Sequence, residues 1–243
     1  MRSFFAILMR EISSLFLSPV AYVTAVVFIA ASSWTFLEAV DVNTGGDDPL
    51  MMLLMISVLI WTPILVTVVC MRLFAEEKRS GTLETLMTVA VSERSVVLGK
   101  YIGALLFVWV VMAPAVAMIY VFSYISPGID GVDVYSLAGG CVMLMLITLA
   151  CVAIGLLVSM FTRNQIVAAI CCFAAVCIPF FVKSVVFVVP AVGDSVVDYF
   201  SIEKQLTEFV SGVISLQVVV LYLSVAVFML FTAVRVLESR RWI

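Results

Sequence analysis

The sequence predicts an all-α integral membrane protein with six transmembrane helices, and three observations carry that prediction. Hydrophobic residues make up 65% of the chain and charged residues 12%, against about half and about a quarter in soluble domains. The apolar residues gather in runs near the roughly 20 residues a helix needs to cross a bilayer. Between those runs, Lys and Arg concentrate on alternate connections, the pattern that sets orientation during membrane insertion. The runs take up most of the 243 residues, so a single transmembrane domain over 1–243 is expected, without a separate soluble unit.

The elements follow in chain order. From Phe4 to Phe16, apolar residues recur near helical spacing as Phe4, Phe5, Leu8, Ile12, Leu15 and Phe16, with Arg10 and Glu11 between them. This predicts a helix lying in the headgroup plane over 1–18, stopped at Ser18-Pro19. The charged pair also argues against a cleaved signal segment. The six spans are Pro19 to Leu37, Leu50 to Phe74, Tyr101 to Ile125, Leu137 to Phe161, Ile166 to Pro190, and Leu216 to Leu237. Pro63, Pro114 and Pro179 fall inside spans, where each removes a backbone donor and can kink its helix. The outer loop 191–215 carries Val196, Phe200, Ile202, Leu206 and Phe209 among acids. It reads as one or two short amphipathic helices dipping into the outer leaflet.

Orientation follows from charge. Arg2, Arg10, Arg72, Lys78, Arg79, Arg94, Lys100, Arg163, Arg235, Arg240 and Arg241 fall on one side, and only Lys183 and Lys204 on the other. Both termini and the insert over 75–100 are therefore expected in the cytoplasm. The net charge of −3 and the lack of a basic patch give no support to nucleic acid as a partner.

Several chemistries are excluded by residue type. The chain contains no histidine, which removes most zinc sites and imidazole bases. All six cysteines lie inside apolar runs, where thiols act as small packing residues. Gly99-Lys100 is followed by Tyr101, and position 94 is Arg, so no phosphate-binding loop is formed. No catalytic set and no cofactor site is expected on this chain. Carboxylates are absent from the apolar cores, which argues against a proton- or sodium-coupled carrier. Lys183, near the outer end of the fifth span, reads first as a snorkelling residue and second as an anion contact in a transport path.

The charged insert is the most informative stretch. It begins Glu76-Glu77-Lys78-Arg79-Ser80-Gly81-Thr82 and continues Leu83-Glu84-Thr85-Leu86-Met87. From Gly81 onward, Leu83, Leu86, Met87 and Ala90 share one helical face. Ser92-Glu93-Arg94-Ser95 offers a new N-cap for a helix that continues into the third span. An apolar face in water usually marks a binding surface.

The run from Glu77 to Leu86, followed by Leu98-Gly99-Lys100-Tyr101, resembles the signature of type-2 ABC exporter permeases, and within them the gliding-motility-type subfamily most. Arg10-Glu11 and Phe16-Leu17-Ser18-Pro19-Val20-Ala21-Tyr22 are similar to that subfamily's N-terminal elbow. Leu237-Glu238-Ser239-Arg240-Arg241-Trp242 is similar to its C-terminal end. The chain departs from the pattern at Ala90, where proline is usual, and lacks the histidine often found in the last outer loop.

The resemblance implies a six-span permease with an interfacial elbow helix and a cytoplasmic coupling helix. It implies a multi-pass protein of the bacterial inner membrane that works by alternating access in an ATP-driven exporter. ATP and Mg would be bound and hydrolysed by a separate ABC ATP-binding subunit. A second permease chain, identical or homologous, would complete the pathway through the first and fifth spans. Glu77, Gly81, Thr82 and Glu84 match the motif, and with Leu83, Leu86 and Met87 they would form the ATPase-coupling surface. The alternative is a non-transport scaffold that anchors cytoplasmic proteins through the insert and tail.

Overall fold

The computed structural model describes residues 2–42, 50–81, 93–125, 133–181 and 200–240. Among the described residues the chain is helical and contains no strand. The helices are α1 (Arg2–Phe16), α2 (Pro19–Val42), α3 (Leu50–Leu73), α4 (Ala75–Ser80), α5 (Glu93–Ile125), α6 (Val134–Ser159), α7 (Gln165–Cys177), α8 (Ile202–Val210) and α9 (Leu216–Arg240). Five of them, α2, α3, α5, α6 and α9, are long and apolar enough to cross a membrane.

The core runs between α3, α5 and α6. Met55, Val58, Val66, Val108, Ile119, Met143, Ile147 and Leu156 are fully buried there. Helices α2 and α9 flank this core and keep broad apolar faces exposed, including Val23, Val26 and Trp34 on α2 and Val227 and Phe228 on α9. Such faces are tolerable only against lipid or another protein. With their backbone groups paired along the helix, these segments suit an apolar solvent. Asp133 begins α6 as its cap: the carboxylate accepts from the Ser136 hydroxyl at 2.6 Å and the Tyr135 amide at 3.1 Å. Those two bonds, the Ser136 one first, hold it below its ordinary range.

The fifth apolar run behaves differently from the others. Helix α7 closes at Cys177 and passes into a 3₁₀ turn over Ile178–Phe181. Pro179 explains the change, since it cannot supply the N–H that an α-helix needs there. The rest of the expected span, to Pro190, lies outside the described residues, as does Lys183. Pro63 and Pro114, in contrast, are accommodated within continuous helices.

Helix α8 sits on the outer-loop side of the sequence and turns its apolar face inward. Ile202, Leu206, Phe209 and Val210 are buried against α6 and α3. Gln205 Oε1 accepts a hydrogen bond of 2.8 Å from the Tyr222 hydroxyl of α9. Gly139 of α6 makes the approach possible, because a Cβ there would stand 2.0 Å from the Phe209 carbonyl oxygen.

Candidate functional site

The site lies where α1, α4 and α5 meet. Its foundation is the pair Gly99 and Gly103, four residues apart on α5. A Cβ at Gly99 would fall 2.9 Å from Cγ2 of Ile7, and one at Gly103 would fall 3.2 Å from Cβ of Glu11. Small residues at this spacing leave a groove in which a second helix can approach closely. Helix α1 occupies it, so Glu11 comes directly over Lys100.

Lys100 is a charged residue with a side chain only 1% exposed. Burial of this kind is tolerated only with close partners. Its Nζ stands 2.9 Å from Oε1 of Glu11 and 2.9 Å from Oε1 of Glu77. The ammonium also lies 5.3 Å from the centre of the Phe74 ring, a cation–π contact. Arg10 completes the cluster at 2.7 Å from Glu77 and 3.1 Å from Glu11. Two carboxylates thus face two cations, and three helices distant in sequence are held at one point.

Helix α4 is anchored independently. The chain breaks at Phe74, and the freed backbone amides of Phe74 and Ala75 both donate to the Ser159 hydroxyl of α6 at 3.3 Å. Lys78 donates to the Met160 carbonyl. Gly81 then ends α4 with φ of 74°, the left-handed conformation that glycine adopts without strain. The first turn of the insert is therefore fastened to α5, α6 and α1 before the chain enters the remainder of the motif.

Beside the ion cluster a cleft of about 450 Å³ opens between α1, the end of α3 and α4. Ser14, Ser18, Arg72 and Glu76 line it along with the cluster. Arg72 donates from Nη1 to the Ser18 hydroxyl at 2.7 Å.

Of the residues expected to couple to an ATPase, Glu77 enters the cluster and Gly81 caps α4. Thr82, Leu83, Glu84, Leu86 and Met87 lie outside the described residues. The sequence reading missed Glu11, Lys100 and Arg10 as a unit. It took Arg10 and Glu11 as interruptions of an amphipathic pattern and Lys100 as one more basic residue beside a span. The available signal was the glycine pair flanking Lys100 together with a charged pair in the middle of an otherwise apolar helix.

This arrangement offers no nucleophile beside a base and reads as a mechanical junction. The family model described as ABC-2 family transporter protein matches residues 12–182. That stretch is most of the chain and reaches from α1 through the 3₁₀ turn. The chain therefore belongs to the ABC-2 transporter family and is a multi-pass membrane protein of the permease type, the part of an ABC transporter that has no ATPase site of its own. No curated protein matches it in sequence.

Proposed function

We propose that this chain is the permease subunit of an ATP-driven exporter that works by alternating access, with both termini and the insert in the cytoplasm of a bacterial cell. The observation that carries the reading is the anchoring of Glu77. The motif that opens the insert is tied by Lys100 to the start of α5 and by Arg10 to α1. A displacement of the insert by a separate ATP-binding subunit would reach the third span and the interfacial helix together through these contacts. Coupling of this kind needs a rigid element between the two sites, and three anchors on α4 supply it.

The exposed apolar faces of α2 and α7, with Val23 and Val26 on one and Ile166 and Ile170 on the other, support pairing with a second permease chain through the first and fifth spans. The likeness of the elbow and tail to the gliding-motility-type subfamily supports that narrower placement. Cargo is not specified by any described side chain.

The deciding experiment is coexpression with a candidate ABC ATP-binding subunit from the same genome, purification of the complex and assay of ATP hydrolysis in proteoliposomes. Export requires a complex that survives detergent and hydrolysis that rises when the permease is present. A chain that recruits no ATPase, or leaves its hydrolysis unchanged, is a membrane scaffold instead.

A further inference from the structure

The cleft beside the ion cluster contains a cation that the cluster does not use. Lys100 and Arg10 are both engaged with Glu11 and Glu77. Arg72, at the end of α3, forms no ion pair with any described residue and donates to the Ser18 hydroxyl. Its Nη2 makes no hydrogen bond to any described residue, while Nε is packed against protein and cannot be reached from the cleft. A guanidinium presents a planar fork of donors matched to two oxygens of one anion, and here half of that fork is unused.

The surroundings specify the anion. Ser18 stands at the break between α1 and α2, and its hydroxyl oxygen accepts from Arg72, which leaves the hydroxyl proton to donate. Ser14, one helical turn earlier on the same face of α1, lines the same cleft and is exposed. Phe5 and Met9 on α1, with Leu17 just after it, form an exposed apolar surface of the kind that lies among acyl chains. Glu76 stands exposed on α4 at the cleft wall, so a multiply charged anion is disfavoured there.

We propose that this cleft binds a singly charged phosphodiester, with Arg72 as the charged donor and Ser14 and Ser18 as hydroxyl donors, and that a membrane phospholipid headgroup supplies it. The bound headgroup would join α1 to the end of α3. Those two elements make few direct connections with each other, while α1 is held firmly to α5. Free inorganic phosphate, which offers similar oxygens but carries more charge, is the alternative occupant.

The test uses the full chain, purified in detergent and washed extensively. Bound phospholipid is counted by native mass spectrometry for the parent, Arg72→Gln, Ser14→Asp and Arg235→Gln. Arg235 pairs with Glu238 at 3.0 Å, does not line the cleft and serves as the control. Ser14→Asp places a carboxylate in the cleft at an exposed position, so its fold does not depend on the substitution. Losing a charge-assisted contact lowers affinity by about tenfold or more. Retention of lipid should fall by that factor in Arg72→Gln and Ser14→Asp and remain at the parent level in Arg235→Gln. Titration with dioctanoyl phosphatidylglycerol and separately with sodium phosphate distinguishes the sources: saturable, Arg72-dependent binding of the lipid alone supports a headgroup, and equal binding of phosphate overturns the lipid assignment. Parent-level retention in Ser14→Asp overturns the site altogether.

Discussion

Glu77 and Lys100 meet at 2.9 Å, Oε1 to Nζ, and this contact joins the opening of the insert to the start of the third span. Lys100 is nearly inaccessible, and its two carboxylate partners are themselves mostly buried. Such a junction is stiff for a physical reason: separating it would leave charges in an apolar setting with few alternatives. Its net stabilisation is another matter, since desolvation offsets much of the Coulombic gain.

The first prediction separates those two properties. Lys100→Met removes the buried cation from between Glu11 and Glu77 and leaves Arg10, whose side chain is half exposed, beside them. Breaking one partner of a buried pair costs roughly 3–5 kcal/mol, and Arg10 keeps the effect near the lower end. The double variant Lys100→Met/Glu11→Gln should recover most of the loss, because an apolar and neutral pair replaces an uncompensated charge. Thermal unfolding in detergent reads both. A single variant as stable as the parent would show that the junction does not hold α1.

Geometry can be tested with every charge retained. Gly99→Leu drives a side chain into Ile7, where even a Cβ would stand at 2.9 Å. Helix α1 must then move away from α5, and the Glu11 to Lys100 contact should open. Overpacking of this kind costs about 1–3 kcal/mol. Disulfide trapping between cysteines placed at Ile7 and Gly99 in a chain cleared of native thiols reports the approach directly, and efficient cross-linking is expected.

At the other end of the bundle, two adjacent glycines should respond differently. Gly139→Ala meets the Phe209 carbonyl at 2.0 Å, which is backbone, whereas Gly140→Ala meets the flexible side chain of Met55 at 2.8 Å. Gly139→Ala should loosen α8 and accelerate amide exchange over 202–210, and Gly140→Ala should leave that exchange near the parent rate. Tyr222→Phe tests the same seat from α9, where losing the bond to Gln205 should cost about 1 kcal/mol. Equal exchange in the two glycine variants would show that α8 is not fixed by its fit to Gly139.

These examples show what the chain disclosed in advance. The long apolar helices α3, α5, α6 and α9 were legible because composition and run length alone dictate them in a bilayer. The end of the fifth run was not, because Pro179 was expected to kink a helix and instead stands just beyond its end, in the 3₁₀ turn. Helix α8 was legible as amphipathic, but its apolar face, expected in the outer leaflet, packs on α6 and α3 instead, where Gly139 leaves space. The ion cluster was least legible. Glu11 and Lys100 are 89 positions apart, and only the packing of α1 into the Gly99–Gly103 groove brings them together.

The proposed topology rests on the basic asymmetry and can be checked at two exposed positions. Arg79 lies on α4 and Tyr135 at the start of α6, with Tyr135 85% exposed. In a background cleared of native cysteines, a membrane-impermeant maleimide should label Tyr135→Cys in intact cells and Arg79→Cys only after permeabilisation. Labelling of Arg79→Cys from outside would invert the orientation and remove the insert from the reach of any cytoplasmic motor.

The insert supports a sharper separation between binding and coupling. Glu77 is held inside the cluster by Lys100 and Arg10, so its role would be to pass motion onward. Leu86, further along the motif, belongs to the apolar face that the sequence offers to a partner. Glu77→Gln keeps the shape of the side chain and weakens both ion pairs. The complex with the ATP-binding subunit should therefore form at close to parental affinity, while stimulation of ATP hydrolysis by the permease falls severalfold. Leu86→Asp should act on assembly itself, because burying a leucine is worth roughly 1.5–3 kcal/mol and an unpaired carboxylate adds a further penalty. Its affinity for the ATPase should drop by tenfold or more. Pull-down from detergent and ATPase assays in proteoliposomes measure the two effects separately. If Glu77→Gln assembles and stimulates hydrolysis like the parent, the contact with Lys100 is structural only; if Leu86→Asp does so, the insert is an ordinary loop and the coupling assignment fails.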